Sequence, residues 1–213
     1  CREAGLDRSL LSSYGHDDRV CAYAELEALF SLDMPEKTAV CILADKEEIG
    51  SVGISGMQSH YFEHFMEGLC DAQGVKLSDC FANSFCLSAD VSNAFDPNWP
   101  ETCDKRNNSQ LNYGVAICKY TGSRGKGGAS DASAEAMGHV RSTLDKAGVI
   151  WQIATLGKVD QGGGGTVAAY MANRNIVTVD AGVPVLSMHA PLELVSKLDC
   201  YETMLACKAI YLA

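Results

Sequence analysis

The sequence predicts an α/β protein, a three-layer α/β/α arrangement around a mixed, largely parallel central sheet. Three observations carry that expectation. Short apolar runs alternate with stretches of helical periodicity along the chain. The apolar runs are bounded by Gly, Asp or Asn, as strands entering turns are. No internal repeat and no linker long enough to divide the chain interrupts the alternation, so one domain is expected over residues 1–213.

In chain order, residues 20–32 read as a helix, and "TAVCILA" at 38–44 reads as a buried strand, apolar throughout and closed by Asp45. Residues 59–71 form the next helical stretch, followed by the strand-like "FCLSADV" at 85–91. "YGVAICKY" (113–120), "WQIAT" (151–155) and "NIVTVDAG" (175–182) are further short strands, separated by helices over 130–147 and 166–173. The last helix is expected over 192–212, where Leu194, Leu198, Tyr201 and Leu205 share one face and form a stripe suited to packing on a sheet. Two glycine-rich stretches stand apart, "TGSRGKGGAS" (121–130) and "GKVDQGGGGTV" (157–167). Neither has the spacing of a phosphate-binding loop. Close backbone approach to a ligand or neighbour and a plain flexible connection are both open for them.

Composition narrows the function classes. Apolar residues make up 47% and charged residues 21%, the balance of a soluble globular protein. A net charge of −10 argues against nucleic acid or an anionic membrane as partner, and no apolar run is long enough to span a bilayer. The ten cysteines contain no C-x-x-C pair and sit mostly in apolar contexts, so they are expected to be reduced and the protein cytoplasmic. The chain begins at Cys1 without an initiator methionine or a signal-peptide pattern, which suggests a piece of something longer.

Chemistry-bearing residues recur where the apolar runs stop. Asp17 and Asp18 precede the first helix, Glu47 and Glu48 follow "AVCILADK", Asp90 follows "FCLSA", and His189 follows "VPVLSM". Each has an ordinary alternative: an N-cap for Asp17 or Asp18, a solvated turn for the glutamates and Asp90, a satisfied core histidine for His189. Together they are what a divalent-metal hydrolase requires, oxygen and imidazole ligands with a spare carboxylate for proton transfer. Adjacent side chains leave the backbone in different directions, so one of Glu47 and Glu48 can bind metal while the other reaches a water. His60 and His64 at i, i+4 form a weaker candidate pair without the H-E-x-x-H glutamate.

The segments "SYGHDDRVCAY", "DKEEIGSVG", "SADVSNAFDPN", "GKVDQGGGGT" and "DAGVPVLSMHAPLE", in this order, resemble the aspartyl aminopeptidase (aminopeptidase I) family of dizinc metallopeptidases. The resemblance implies a zinc-exopeptidase-like fold, peptide substrates and removal of the N-terminal residue. It implies two divalent ions per subunit, Zn²⁺ or alternatively Mn²⁺ or Co²⁺, and a homo-oligomer built from dimers into a tetrahedral dodecamer. Residue by residue, it makes Asp17 the bridge between the ions, Glu48 a ligand to one, and Asp90 and His189 ligands to one and the other. Glu47 becomes the general base, and Lys119 matches a lysine of the first substrate pocket in acid-preferring relatives. The family also supplies a histidine ligand from an early strand and an inserted dimerisation domain. Neither precedes Asp17 here, where His16 is directly adjacent, so the 213 residues read as the C-terminal portion of a catalytic domain. Asn93 and Asp96 stand where many relatives have histidines, which leaves both an acidic and a broader residue preference open. The alternatives are the tetrahedral glutamyl and leucyl aminopeptidases and a non-catalytic assembly subunit.

Overall fold

Strands and helices alternate as the apolar runs predict, but the strands divide between two sheets. The computed structural model describes residues 1–120, 127–130, 132–158 and 160–213. The chain opens with β1 (Arg2–Ala4), β2 (Leu10–Ser13) and α1 (His16–Phe30), and a 3₁₀ turn follows at Glu47–Ile49. Next come α2 (Tyr61–Gln73), α3 (Leu77–Ala82), β3 (Phe85–Ala89), β4 (Ser92–Asn93) and β5 (Val115–Cys118). The remainder is α4 (Ala134–Ala147), β6 (Trp151–Ala154), α5 (Ala168–Ala172), β7 (Val177–Gly182), β8 (Pro184–Leu186), β9 (Glu193–Ser196) and α6 (Lys197–Tyr211).

The central sheet has the order β3-β7-β5-β6. Its β3–β7 and β5–β6 pairs are parallel and its β7–β5 pair antiparallel, the mixed and largely parallel sheet expected. Alternation along the strands sends Val115, Ile117, Val179 and Ala181 to one face, where Val140 and Leu144 of α4 and Ala206 of α6 cover them. Cys86 points to the other face, against Phe62 and Met66 of α2, Phe81 of α3 and Met171 of α5. Helices therefore flank the sheet on both sides. Ser133 caps α4 by accepting the Ala136 N–H, and Gly148 ends it in a left-handed conformation with φ 70°.

The second sheet, β1-β2-β9-β8-β4, is mainly antiparallel and was not expected. It packs through Val185 and Val195, with Val183 just ahead of β8, against Cys21 of α1. All ten cysteines are free, as the apolar contexts imply.

Three expectations need correction. Residues 38–44 form no strand; they run irregularly along a cavity and have no ladder partner among the described residues. An apolar run becomes a strand only where a neighbouring backbone completes its hydrogen bonds, and among the described residues β3, across the cavity, pairs on one edge only, with β7. The stretch 192–212 is likewise divided. Its first part is β9, zipped onto β2 with Leu11 opposite Val195, and the helix starts only at Lys197, capped by Ser196. Finally, the Leu198 and Tyr201 stripe faces outward, while α6 buries Asp199, Glu202, Thr203, Ala206 and Cys207. The polar members bind backbone: Asp199 accepts the N–H groups of Asn112 and Gly114 at 2.8 Å each, and Glu202 accepts that of Ile150 at 2.8 Å. Those carboxylates tie the entries of β5 and β6 to the helix, which is why burial follows them and not Leu198 and Tyr201, while Leu205 of the stripe packs against the core.

Candidate metal centre

Four separate element ends meet at one place. Asp17 and Asp18 open α1, Glu47 and Glu48 occupy the 3₁₀ turn, Asp90 directly follows β3, and His189 lies between β8 and β9. The turn carrying the glutamates is entered through Lys46 at φ 67°, and His189 itself has φ 65°. Both conformations aim side chains away from the direction a regular strand would give.

His189 Nε2 lies 2.7 Å from Asp17 Oδ2 and 3.0 Å from Glu48 Oε1. Asp17, Glu48 and His189 thus present ligand atoms within 4.8 Å of one another. Asp17, Asp18 and Asp90 form a second such group, so the two share Asp17. Glu47 stands beside them and lines the same cavity as Asp17, Asp18, Glu48 and Asp90. Its carboxyl is pushed above the usual range by burial and then by the charges of Glu48 and Asp17.

The rest of the cluster is equally crowded. Burial, then Glu48, raises Asp17 against the opposing pull of His189. Asp90 is pushed up to about 8 by burial, then by Asp17, Glu47 and Asp180. Asp18 is raised by burial and by Asp90, while its Oδ1 accepts the Val91 N–H at 3.2 Å. Carboxylates this close repel one another unless a cation lies between them. The donor set, four carboxylates and one imidazole, suits a hard or borderline divalent ion.

Lys119 is not brought into this group; its Nζ donates to the carbonyl of Ala132 and lies over the Tyr120 ring. His60 pairs with Glu63 at 2.5 Å, and neither His60 nor His64 belongs to a candidate ligand group among the described residues. His16 is buried, with its Nε2 3.2 Å from the Leu11 carbonyl oxygen, and is also outside both groups.

Sequence reasoning grouped Asp18 with Asp17 but gave it no role of its own, and it singled out neither Asp180 nor Glu193 beneath the cluster. Asp180, on β7, accepts hydrogen bonds from Thr166 Oγ1 at 2.5 Å and Ser130 Oγ at 3.1 Å. It therefore fastens the two glycine-rich stretches to the sheet. A Cβ on Gly128 would come within 3.2 Å of Gly165 Cα, so the backbones of those stretches approach each other closely. Residues 121–126 of the first stretch and Val159 of the second lie outside the described residues. The signal that could have found Asp180 is an acid in the middle of an apolar strand, "VTVDAG".

Comparison with known proteins places the chain in a family. The chain is 50% identical over 206 residues to a probable M18 family aminopeptidase 1 of Clostridium acetobutylicum, covering 95% of this chain and 44% of that protein. A second, from Borrelia garinii, is 46% identical over 217 residues, covering 99% and 47%. The crystal structure of aminopeptidase I from C. acetobutylicum superposes with a TM-score of 0.94 at 48% identity, over 100% of this chain and 46% of that one. The M18 aminopeptidase structure from Thermotoga maritima gives 0.95 at 45% identity, over 99% and 48%. The Saccharomyces cerevisiae mApe1 dodecamer, at 24% identity and TM-score 0.79, shares the fold over 99% of this chain and 49% of its own. The chain spans about half the length of the relatives it matches. The family profile described as aminopeptidase I zinc metalloprotease (M18) matches residues 1–211, nearly the whole sequence. This chain belongs to the M18 family of aminopeptidase I zinc metalloproteases.

Proposed function

We propose that these residues form the C-terminal portion of the catalytic domain of a metal-dependent aminopeptidase that hydrolyses the N-terminal residue from peptides. The observation that carries the reading is the convergence of two ligand groups sharing Asp17. Asp17, common to both groups, would hold two divalent ions, zinc by family, together with Glu48 and His189 for one and Asp90 for the other. When bound, the ions polarise the scissile carbonyl and make water acidic enough to ionise near neutrality. Glu47, raised by its surroundings and pointing into the shared cavity, takes the proton of the attacking water as oxygen adds to the carbonyl carbon. It delivers that proton to the departing amine nitrogen as the C–N bond breaks. The crowding of negative charge around the site also favours the free α-ammonium group of a peptide, which restricts cleavage to the terminal residue.

The remaining ligand and the inserted dimerisation domain lie, on this reading, outside the 213 residues. The cavity supports it: about 890 Å³ lies between residues 37–46 and the edge of β3, which among the described residues pairs only with β7. An open sheet edge facing an apolar wall has the form of a place for further strands. The native polypeptide is then about twice the length of this chain, and mass spectrometry of the native protein checks it. Lys119 is assigned to the first substrate pocket on resemblance alone. A dimer-based tetrahedral dodecamer and a cytoplasmic location complete the proposal. No helix among the described residues is long and apolar enough to cross a membrane.

Glu47→Gln tests the core of the reading: hydrolysis falls by about 10²–10⁴-fold while metal content stays unchanged. Turnover close to wild type in that variant rejects Glu47 as the base. Aminoacyl-p-nitroanilides of Asp, Glu, Leu and Lys, offered to the full-length protein, decide residue preference. No cleavage of any of them points to an assembly subunit.

A further inference from the structure

Beneath the candidate ligands lies a carboxylate with no ligand role. Glu193, the first residue of β9, is 2% exposed. Its Oε1 accepts the backbone N–H of His189 at 2.8 Å, and its Oε2 accepts the backbone N–H of Asp17 at 3.0 Å. One side chain thereby holds the backbones of the two residues whose side chains meet at 2.7 Å. Asp17 arrives from 176 positions away along the chain. The His189 side chain is 59% exposed, so packing does not orient it. Its position depends on its backbone, which sits at φ 65°. A buried carboxylate bonded to two amides is a strong and directional tether, because charge-assisted hydrogen bonds exceed neutral ones.

We propose that Glu193 is a positioning residue that sets the separation and orientation of Asp17 and His189 for metal. The inference rests on the proposed metal centre and adds a residue outside the ligand set. Glutamine in its place offers one acceptor oxygen and an amide that only donates, so one of the two N–H groups loses its partner. Aspartate keeps the charge but is one methylene too short to reach both.

The test uses the full-length protein freed of metal and titrated with Co²⁺, read by its visible d–d absorption, with thermal melting of the metal-free form alongside. Glu193→Gln is expected to melt cooperatively without metal, to bind Co²⁺ about 10–100-fold more weakly, and to show a displaced absorption band. Wild-type affinity together with a wild-type spectrum in Glu193→Gln overturns the proposal. His189→Ala separates the two readings. If that variant binds Co²⁺ as wild type does, the metal-centre assignment itself fails. If it loses binding while Glu193→Gln keeps it, only the role of Glu193 falls. Should Glu193→Gln not fold, Glu193→Asp is expected to show the same weakening, and wild-type affinity and spectrum there overturn the proposal. Should neither fold, amide exchange in the wild type decides, with slow exchange at both Asp17 and His189 supporting the tether and fast exchange at either one refuting it.

Discussion

The two halves of the candidate centre are built on opposite principles. Asp18 and Asp90 are partly buried, and Asp90 follows directly from a strand of the central sheet. Glu48 and His189 are 63% and 59% exposed and belong to a turn and a loop. In the first half, packing fixes the ligands and the difficulty is electrostatic, since buried like charges raise one another. In the second half solvent relieves the charge, and the difficulty is geometric. Backbone hydrogen bonds such as those of Glu193 meet it. Asp17, with its side chain 10% exposed, stands between the two.

The sharpest way to break the buried half is at Gly182. A Cβ there would lie 1.7 Å from the Asp90 carbonyl oxygen, a clash with backbone that no rotamer relieves. Gly182→Ala is expected to cost more than about 4 kcal/mol in denaturant unfolding, with Asp90 displaced in whatever folds. A smaller effect comes from Asp180, whose carboxyl burial pushes from 3.8 up to about 6. Between those two values the folded protein holds a proton that the unfolded chain has lost. Stability therefore falls as pH rises through that window and is level above it, by about 3 kcal/mol in all at about 1.4 kcal/mol per unit. Asp180→Asn should flatten that slope in metal-free protein melted across pH 4 to 7, and an unchanged slope would assign it to other groups. The exposed half gives the smallest response without metal. His189→Ala should alter metal-free stability by less than about 0.5 kcal/mol. It should nevertheless remove the stabilisation of about 2.7 kcal/mol that an ion at a hundredfold its dissociation constant confers. Melting with and without Zn²⁺ measures both quantities.

What could be read beforehand follows the range of the interactions. β5, β6 and β7 are short apolar runs between turn residues, and their character is local. The run at 38–44 has the same character but no backbone to pair with among the described residues, so local pattern misled. β1, β2, β8 and β9 are strands of three or four residues, too short to read locally, and the sheet they form is joined by a pairing between distant parts of the chain, Leu10 opposite Ser196. The stripe on α6 failed for a related reason: Asp199 and Glu202 are buried by the amides they bind, which no periodicity reveals. The site divides the same way. Asp17, Glu47, Glu48, Asp90 and His189 stand in motifs whose order is itself a signal. Asp180 and Glu193 act through distant hydroxyl and backbone groups; an acid inside an apolar strand marks Asp180, but nothing adjacent in sequence names the partners of either.

The pairing of β2 with β9 has a consequence for biosynthesis. Because Ser13 lies opposite Glu193, the acids near residue 17 and the histidine at 189 meet only after nearly all of the intervening polypeptide has left the ribosome. A contact of such long sequence separation forms late and slowly. Nascent or prematurely terminated chains carry the acidic motifs without the imidazole, so on the proposed assignment they present only part of the ligand set. The juxtaposition of Asp17 and His189 arrives late, with the closing of that short ladder.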